Sequence, residues 1–274
     1  MNLYQAATVL LLLAAAAGSA SPKPAVDQAQ VLASVRDAAL HYTSKLPDFI
    51  CEQITHRSVS SLSAIDVGAG IANNLHPNVP LAIPAAGRAH DVIDETLTFI
   101  GGRENYTVVS VDGRKVSGID HLQFQGATST GEFGSLLLDI FDPRSQATFS
   151  LDRIAKLRGH PAYVFALRVP KENGRTVIHH ESGQQIVVAY DGKVVVDADT
   201  LDVLQIDTTL ELPPHFPIQM GKIKVEYRRA AIENKSYNLP YRSEVQIEDR
   251  SGLYVNSIEF KGYHKFAAES TIHY

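Results

Sequence analysis

The 274-residue chain has a single cysteine, no tryptophan and no excess of basic residues, and each shortage excludes something. Cys51 alone cannot close an internal disulfide, so stability has to come from a packed core. Lying between Ile50 and Glu52 in a β-like stretch, it reads as a small buried hydrophobe, because activating its thiolate needs cationic neighbours that this segment lacks. With 25 Lys+Arg against 30 Asp+Glu the formal charge is -5, too little basic surface to follow a phosphate backbone, so nucleic acid is not an expected partner. Also missing are a His-Glu-x-x-His helix, a Gly-x-Ser-x-Gly elbow, a Cys-x-x-Cys pair and a phosphate-binding loop ending in Lys-Ser/Thr. Val67-Gly68-Ala69-Gly70 has no strand before it and resembles a dinucleotide loop only superficially. No catalytic residues, metal site or cofactor are therefore assigned. At 45% hydrophobic and 20% charged, the composition is nonetheless that of a globular protein and excludes wholesale disorder.

The first positive signal is the small and apolar run Ala6 to Ala17, followed by Gly18, Ser19 and Ala20. Twelve residues fall short of the roughly 20 that span a bilayer as a helix. The run therefore reads as a signal peptide over 1–20, cleaved after Ala20, delivering a periplasmic or secreted protein without stable membrane insertion. From Asp27 to Leu46, the residues Leu32, Val35, Ala39, Tyr42 and Leu46 recur at steps of three and four on one face of an amphipathic helix. Asp27 and Gln30 approximate a capping box at its start, and Pro47 stops it. Phe49 to Arg57 then predicts a strand. Ser58 to His90, rich in Ser, Ala, Gly, Asn and Pro, predicts a long flexible insertion.

Beyond Val92 the pattern is period two, with Ile93, Leu97 and Phe99 on one face of a strand. Gly101-Gly102, Asp112-Gly113, Asp191-Gly192 and Ser251-Gly252 are read as turns between strands that fill most of the second half. One helix interrupts them. Phe133, Leu136, Leu137, Ile140 and Phe141 share a face over Gly131 to Phe141, with Ser129 and Glu132 at capping-box spacing and Pro143 closing the end. Burying five such side chains at about 1.5–3 kcal/mol each outweighs any gain from helix propensity, so the helix must lie against the sheet, as a lid or as a plug.

Taken in order, these elements resemble the periplasmic lipoprotein carriers and their relatives. The best local match is Leu97 to Ser117, where two strands meet at Val111-Asp112-Gly113-Arg114-Lys115, similar to that family's "DGK"-type turn. Gly131 to Phe141 then stands where the family has a lid helix, and Ala147 to Val169 with Gln185 to Leu212 is similar to its later strands. The resemblance implies a mainly β fold, a strongly curved antiparallel half-barrel with an N-terminal helix and a short lid helix on its concave face. The extra strands after Leu212, the 58–90 insertion and the lack of tryptophan depart from the family. An arginine beneath the lid, which the carriers use in ligand release, has no equivalent assigned in this sequence.

Two chemical oddities stand out. Strand alternation puts Glu95 on the same face as Ile93 and Leu97, where a carboxylate needs a basic partner or exposure at the strand end. Among 11 histidines only His179 and His180 are adjacent, and in a strand they would point to opposite faces. Apolar surface is the richer feature. Phe99, Phe165, Leu167, Leu204, Ile206, Ile223, Val225 and Tyr227 alternate with polar residues and predict one continuous hydrophobic sheet face. Together with Leu136, Leu137, Ile140 and Phe141 they are the expected ligand-binding residues of a single domain over 21–274 that takes up a lipid, another apolar small molecule or a lipidated protein. The alternative is an envelope interaction or sensing module in which the same residues are plain core.

Overall fold

The computed structural model describes residues 27–61, 88–118, 131–180 and 184–266. The expected signal peptide, the middle of the 58–90 insertion and Ser129 lie outside them. Helix α1 (Gln28–Leu40) begins where the capping pattern puts it, the Asp27 carboxylate accepting a hydrogen bond from the Gln30 N–H at 3.1 Å. It breaks at His41, and the one-turn α2 (Tyr42–Lys45) completes the amphipathic stretch.

Eleven strands make one antiparallel sheet, which stays open. In chain order they are β1 (Phe49–Ser61), β2 (Arg88–Ile100), β3 (Arg103–Val111), β4 (Arg114–Lys115), β5 (Thr148–Leu157) and β6 (His160–Val169). The hairpin β7 (Val177–His179) and β8 (Gln185–Val187) stands apart as a small second sheet. The main sheet continues with β9 (Ala189–Asp197), β10 (Val203–Glu211), β11 (Ile218–Ile232), β12 (Lys235–Asp249) and β13 (Gly252–Lys265). Side by side, the order is β4-β3-β2-β1-β13-β12-β11-β10-β9-β6-β5, so the first strand pairs with the last and β4 and β5 end up on opposite rims. This is the curved antiparallel half-barrel with helices on one face. Bulges at Asp94/Glu95, Leu151/Arg153, Val203/Gln205 and Glu226/Tyr227 bend individual strands.

Three local expectations change. Asp191-Gly192 is not a turn: it lies inside β9, Gly192 pairing with Leu167 on one side and Thr208 on the other. A Cβ there would stand 2.2 Å from the Asp207 carbonyl oxygen, so the glycine serves close approach of a neighbouring strand. The strands around the insertion are longer than apolar alternation suggested. Ser58, Val59 and Ser60 pair on both sides, because ladder hydrogen bonds need no apolar side chain. Finally, the expected helix over 131–141 narrows to α3 (Ser135–Phe141), since the chain turns at Gly131, which has φ +100°. The Asp112-Gly113 and Gly101-Gly102 turns do form, with positive φ at all four residues.

Candidate functional site

The inner face of the half-barrel carries two apolar clusters. The larger joins α1 and α3 to β6, β9, β10 and β11 and contains Leu137, Ile140, Phe141, Phe165, Leu167, Ile206, Val225 and Tyr227, all at most 4% exposed. Leu136 and Ile223 pack against it, partly buried. The smaller, around β1, β2 and the ends of β12 and β13, contains Phe99, stacked on Phe49 at 5.0 Å, and Phe133, which reaches in from the turn before α3. Leu204 belongs to neither. The bulge between Val203 and Gln205 gives it no partner on β9, so Val203 and Ile206 supply the core side chains there. Most of the expected ligand-lining residues are thus brought together as buried neighbours in these two clusters.

The two covering helices are held very differently. Asp139, 5% exposed in the last turns of α3, accepts hydrogen bonds from the Tyr190 hydroxyl (2.7 Å), the Thr176 hydroxyl (3.0 Å) and the Arg175 backbone N–H (2.9 Å). A carboxylate near a helix C-terminus opposes the helix dipole, so its contribution lies in these tertiary bonds. Asp142, just past the helix, accepts from Arg144 and Arg175, and the Arg144 guanidinium and backbone N–H hold its carboxyl well below the usual carboxylate range. Before the helix, Glu104 of β3 accepts from the Gly131 and Phe133 N–H groups at 3.0 and 3.2 Å. Tyr227 donates to the Glu132 carbonyl oxygen, and Ser243 donates to the Glu132 carboxylate. Polar bonds to the body of the protein therefore fasten both ends of α3.

Among the described residues, helix α1 has no such set. Its bond to the sheet is from Gln28 Nε2 to the Phe149 carbonyl oxygen, at 3.4 Å. The next tie along the chain, in α2, runs from the Tyr42 hydroxyl to the Asn238 carbonyl oxygen at 2.8 Å. These contacts lay α1 across the sheet from β5 towards β11 and β12. Only Val35 and Ala39 of α1 are fully buried, with Val31 and Leu32 partly so.

Glu95 is buried at 3% exposure, away from any strand end, and accepts from Gln53 Nε2 at 2.8 Å. Nearby on the same face Arg57 forms a two-pronged pair with Asp91. Cys51 is buried as expected, and burial pushes its thiol up to about 12. His180 lies edge-on to Phe216 in the loop region beside the β7–β8 hairpin. Among the described residues no group of His, Cys, Asp and Glu is arranged to hold a metal ion, and no helix is long and apolar enough to cross a membrane. On the other face of the sheet, a depression of about 380 Å³ is lined by charged residues paired with one another, including Arg242 with Glu259 and Lys224 with Glu226.

Sequence reasoning missed the fastening of α3. Its signal was Asp139, the lone charge in Ser-Leu-Leu-Leu-Asp-Ile-Phe, and Glu132, which was read as a helix cap and is instead buried against Ser243.

No family model matches the sequence, and no curated protein matches it significantly. Three solved structures are similar over most of their length. A LolA superfamily protein from Nitrosomonas europaea shares 10% identity, covering 87% of this chain and 94% of its own, with a TM-score of 0.40. For a DUF1329 family protein from Desulfovibrio piger the values are 11%, 87%, 95% and 0.39. A putative outer membrane lipoprotein-sorting protein domain from Vibrio parahaemolyticus gives 10%, 85%, 89% and 0.37.

Proposed function

We propose that this chain is an exported binding protein for a lipid or another apolar ligand, which it takes up on the inner face of the half-barrel by displacing α1. Export is read from the Ala6–Ala17 run and the small residues after it. The observation that carries the binding reading is the asymmetry of the two covers. Moving α3 would expose Leu137, Ile140 and Phe141, at about 1.5–3 kcal/mol each, and break bonds to carboxylates worth about 1.5–3 kcal/mol each. Moving α1 would expose one valine and one alanine in full and break one long hydrogen bond to the sheet. An acyl chain placed under α1 replaces the apolar contacts that the helix gives up, so the exchange is close to balanced. α3 then acts as a fixed wall and α1 as the movable cover.

The near-complete burial of both clusters favours a second reading, an interaction module whose inner face is ordinary core. Native mass spectrometry and organic extraction of the protein purified from its own export compartment separate the two. Retained lipid, together with uptake of the neutral probe Nile red, supports ligand binding. A chain that returns no lipid and leaves the probe unbound refutes it and leaves the interaction module.

A further inference from the structure

The charge of the ligand follows from one side chain on the movable cover. Arg36 follows Val35 on α1 and is half-buried; its Nε is buried and has no hydrogen-bond acceptor. A buried donor left without an acceptor costs about 1–3 kcal/mol, which proteins seldom leave uncompensated. Among the residues whose burial is described, the other half-buried arginine, Arg57, has a partner in Asp91, and even the exposed Arg158 and Arg175 pair with Glu226 and Asp142. The carboxylate adjacent to Arg36 in sequence, Asp37, is exposed and pairs with His41 at 3.3 Å. Among the described residues, α1 therefore carries a guanidinium without a counter-ion beside the two side chains it presses into the apolar cluster.

Resting on the binding reading above, we infer that the ligand is an anionic amphiphile: its chain lies along the face that Val35 and Ala39 cover, and its carboxylate or phosphate pairs with Arg36. A guanidinium offers planar, paired N–H donors that match either oxyanion, and a partly desolvated site strengthens the pairing. The charge also accounts for the position on α1. Displacing the helix moves the cation with it, so the anion holds the cover down on the bound chain.

The test is competition against Nile red with three probes of equal chain length, oleate, 1-oleoyl lysophosphatidate and oleyl alcohol, on the full chain and on Arg36→Gln and Arg36→Lys. Wild type is expected to bind at least one of the two anions about tenfold or more tightly than the alcohol, and which one identifies the headgroup as carboxylate or phosphate. Arg36→Gln should lose that preference with the affinity for the alcohol unchanged, and Arg36→Lys should keep part of it. Equal binding of all three probes by wild type, or an anion preference that survives Arg36→Gln, overturns the assignment of charge and leaves apolar binding standing. Failure of all three to bind overturns both.

Discussion

Asp139→Ala is the sharpest probe of how the inner face is assembled. The substitution removes the acceptor of three hydrogen bonds and leaves the Tyr190 hydroxyl, on a side chain 1% exposed, with no acceptor from Asp139. Bonds to a charged acceptor are worth about 1.5–3 kcal/mol each but do not add when they share one carboxylate, and the Thr176 and Arg175 donors recover part of the loss from water. A destabilisation of about 3–5 kcal/mol follows, comparable to removing one partner of a buried charged pair. Asp139→Asn keeps a carbonyl oxygen and offers an amide that the two hydroxyls can accept from, so it should cost about 1–2 kcal/mol. Tyr190→Phe removes one bond and should cost about the same. Urea unfolding of the three variants and of the Asp139→Asn/Tyr190→Phe double variant gives the midpoints, with an unchanged slope as the control for two-state behaviour. If Asp139→Ala unfolds within about 1 kcal/mol of wild type, the carboxylate does not fasten α3, and the contrast between fixed and movable covers collapses.

Other perturbations probe separate parts of the chain. Gly192→Ala places a methyl group 2.2 Å from the Asp207 carbonyl oxygen, against backbone that cannot rotate away, and should lower stability by about 3 kcal/mol or more, read as a fall in melting temperature. An unchanged melting temperature would mean that β9 and β10 are not so closely apposed. Cys51 should resist maleimide at pH 8 in the native protein and react readily in denaturant, since burial keeps its thiol protonated up to about 12; fast native labelling would contradict its placement in the core. The same shift sets a pH dependence. The unfolded thiol ionises near 9 while the folded one keeps its proton, so stability is complete below about 9 and falls above it by about 1.4 kcal/mol per pH unit, a slope that Cys51→Ser should remove between pH 9 and 10.

The sequence announced most of the fold because the fold is written locally. Period-two alternation in Ile93, Leu97 and Phe99, the positive-φ pairs Gly101-Gly102 and Asp112-Gly113, and the Asp27 cap each concern residues adjacent along the chain. Strand β5 was legible only through the family resemblance over Ala147 to Val169, since a bulge breaks its alternation after Leu151, and Gly192 misled because a glycine suited to a turn equally suits a close strand contact. The candidate site was legible as apolar surface but not as an arrangement. Nothing near Asp139 in sequence reveals Tyr190, 51 residues on, and nothing near Glu104 reveals the backbone of Gly131. Glu95 was recognised as out of place, yet its partner Gln53 lies 42 residues earlier, on the neighbouring strand. Local pattern marks which residues are unusual, and tertiary pairing decides what each one does.

The two unjoined margins of the sheet matter for capacity. In a closed barrel, strand number and stagger set the girth, and widening it means tearing a ladder. Here, among the described residues, β4 and β5 do not bond to each other, so under the binding reading proposed above the arc could spread or tighten through a change of twist, and a bulky guest would not have to match a preset volume. An outer strand left unpaired would otherwise invite a second copy to zip on. β4 is only two residues long, while β5 is kinked at its bulge and studded with Asp152, Arg153 and Lys156, features that discourage stacking of copies into a fibre.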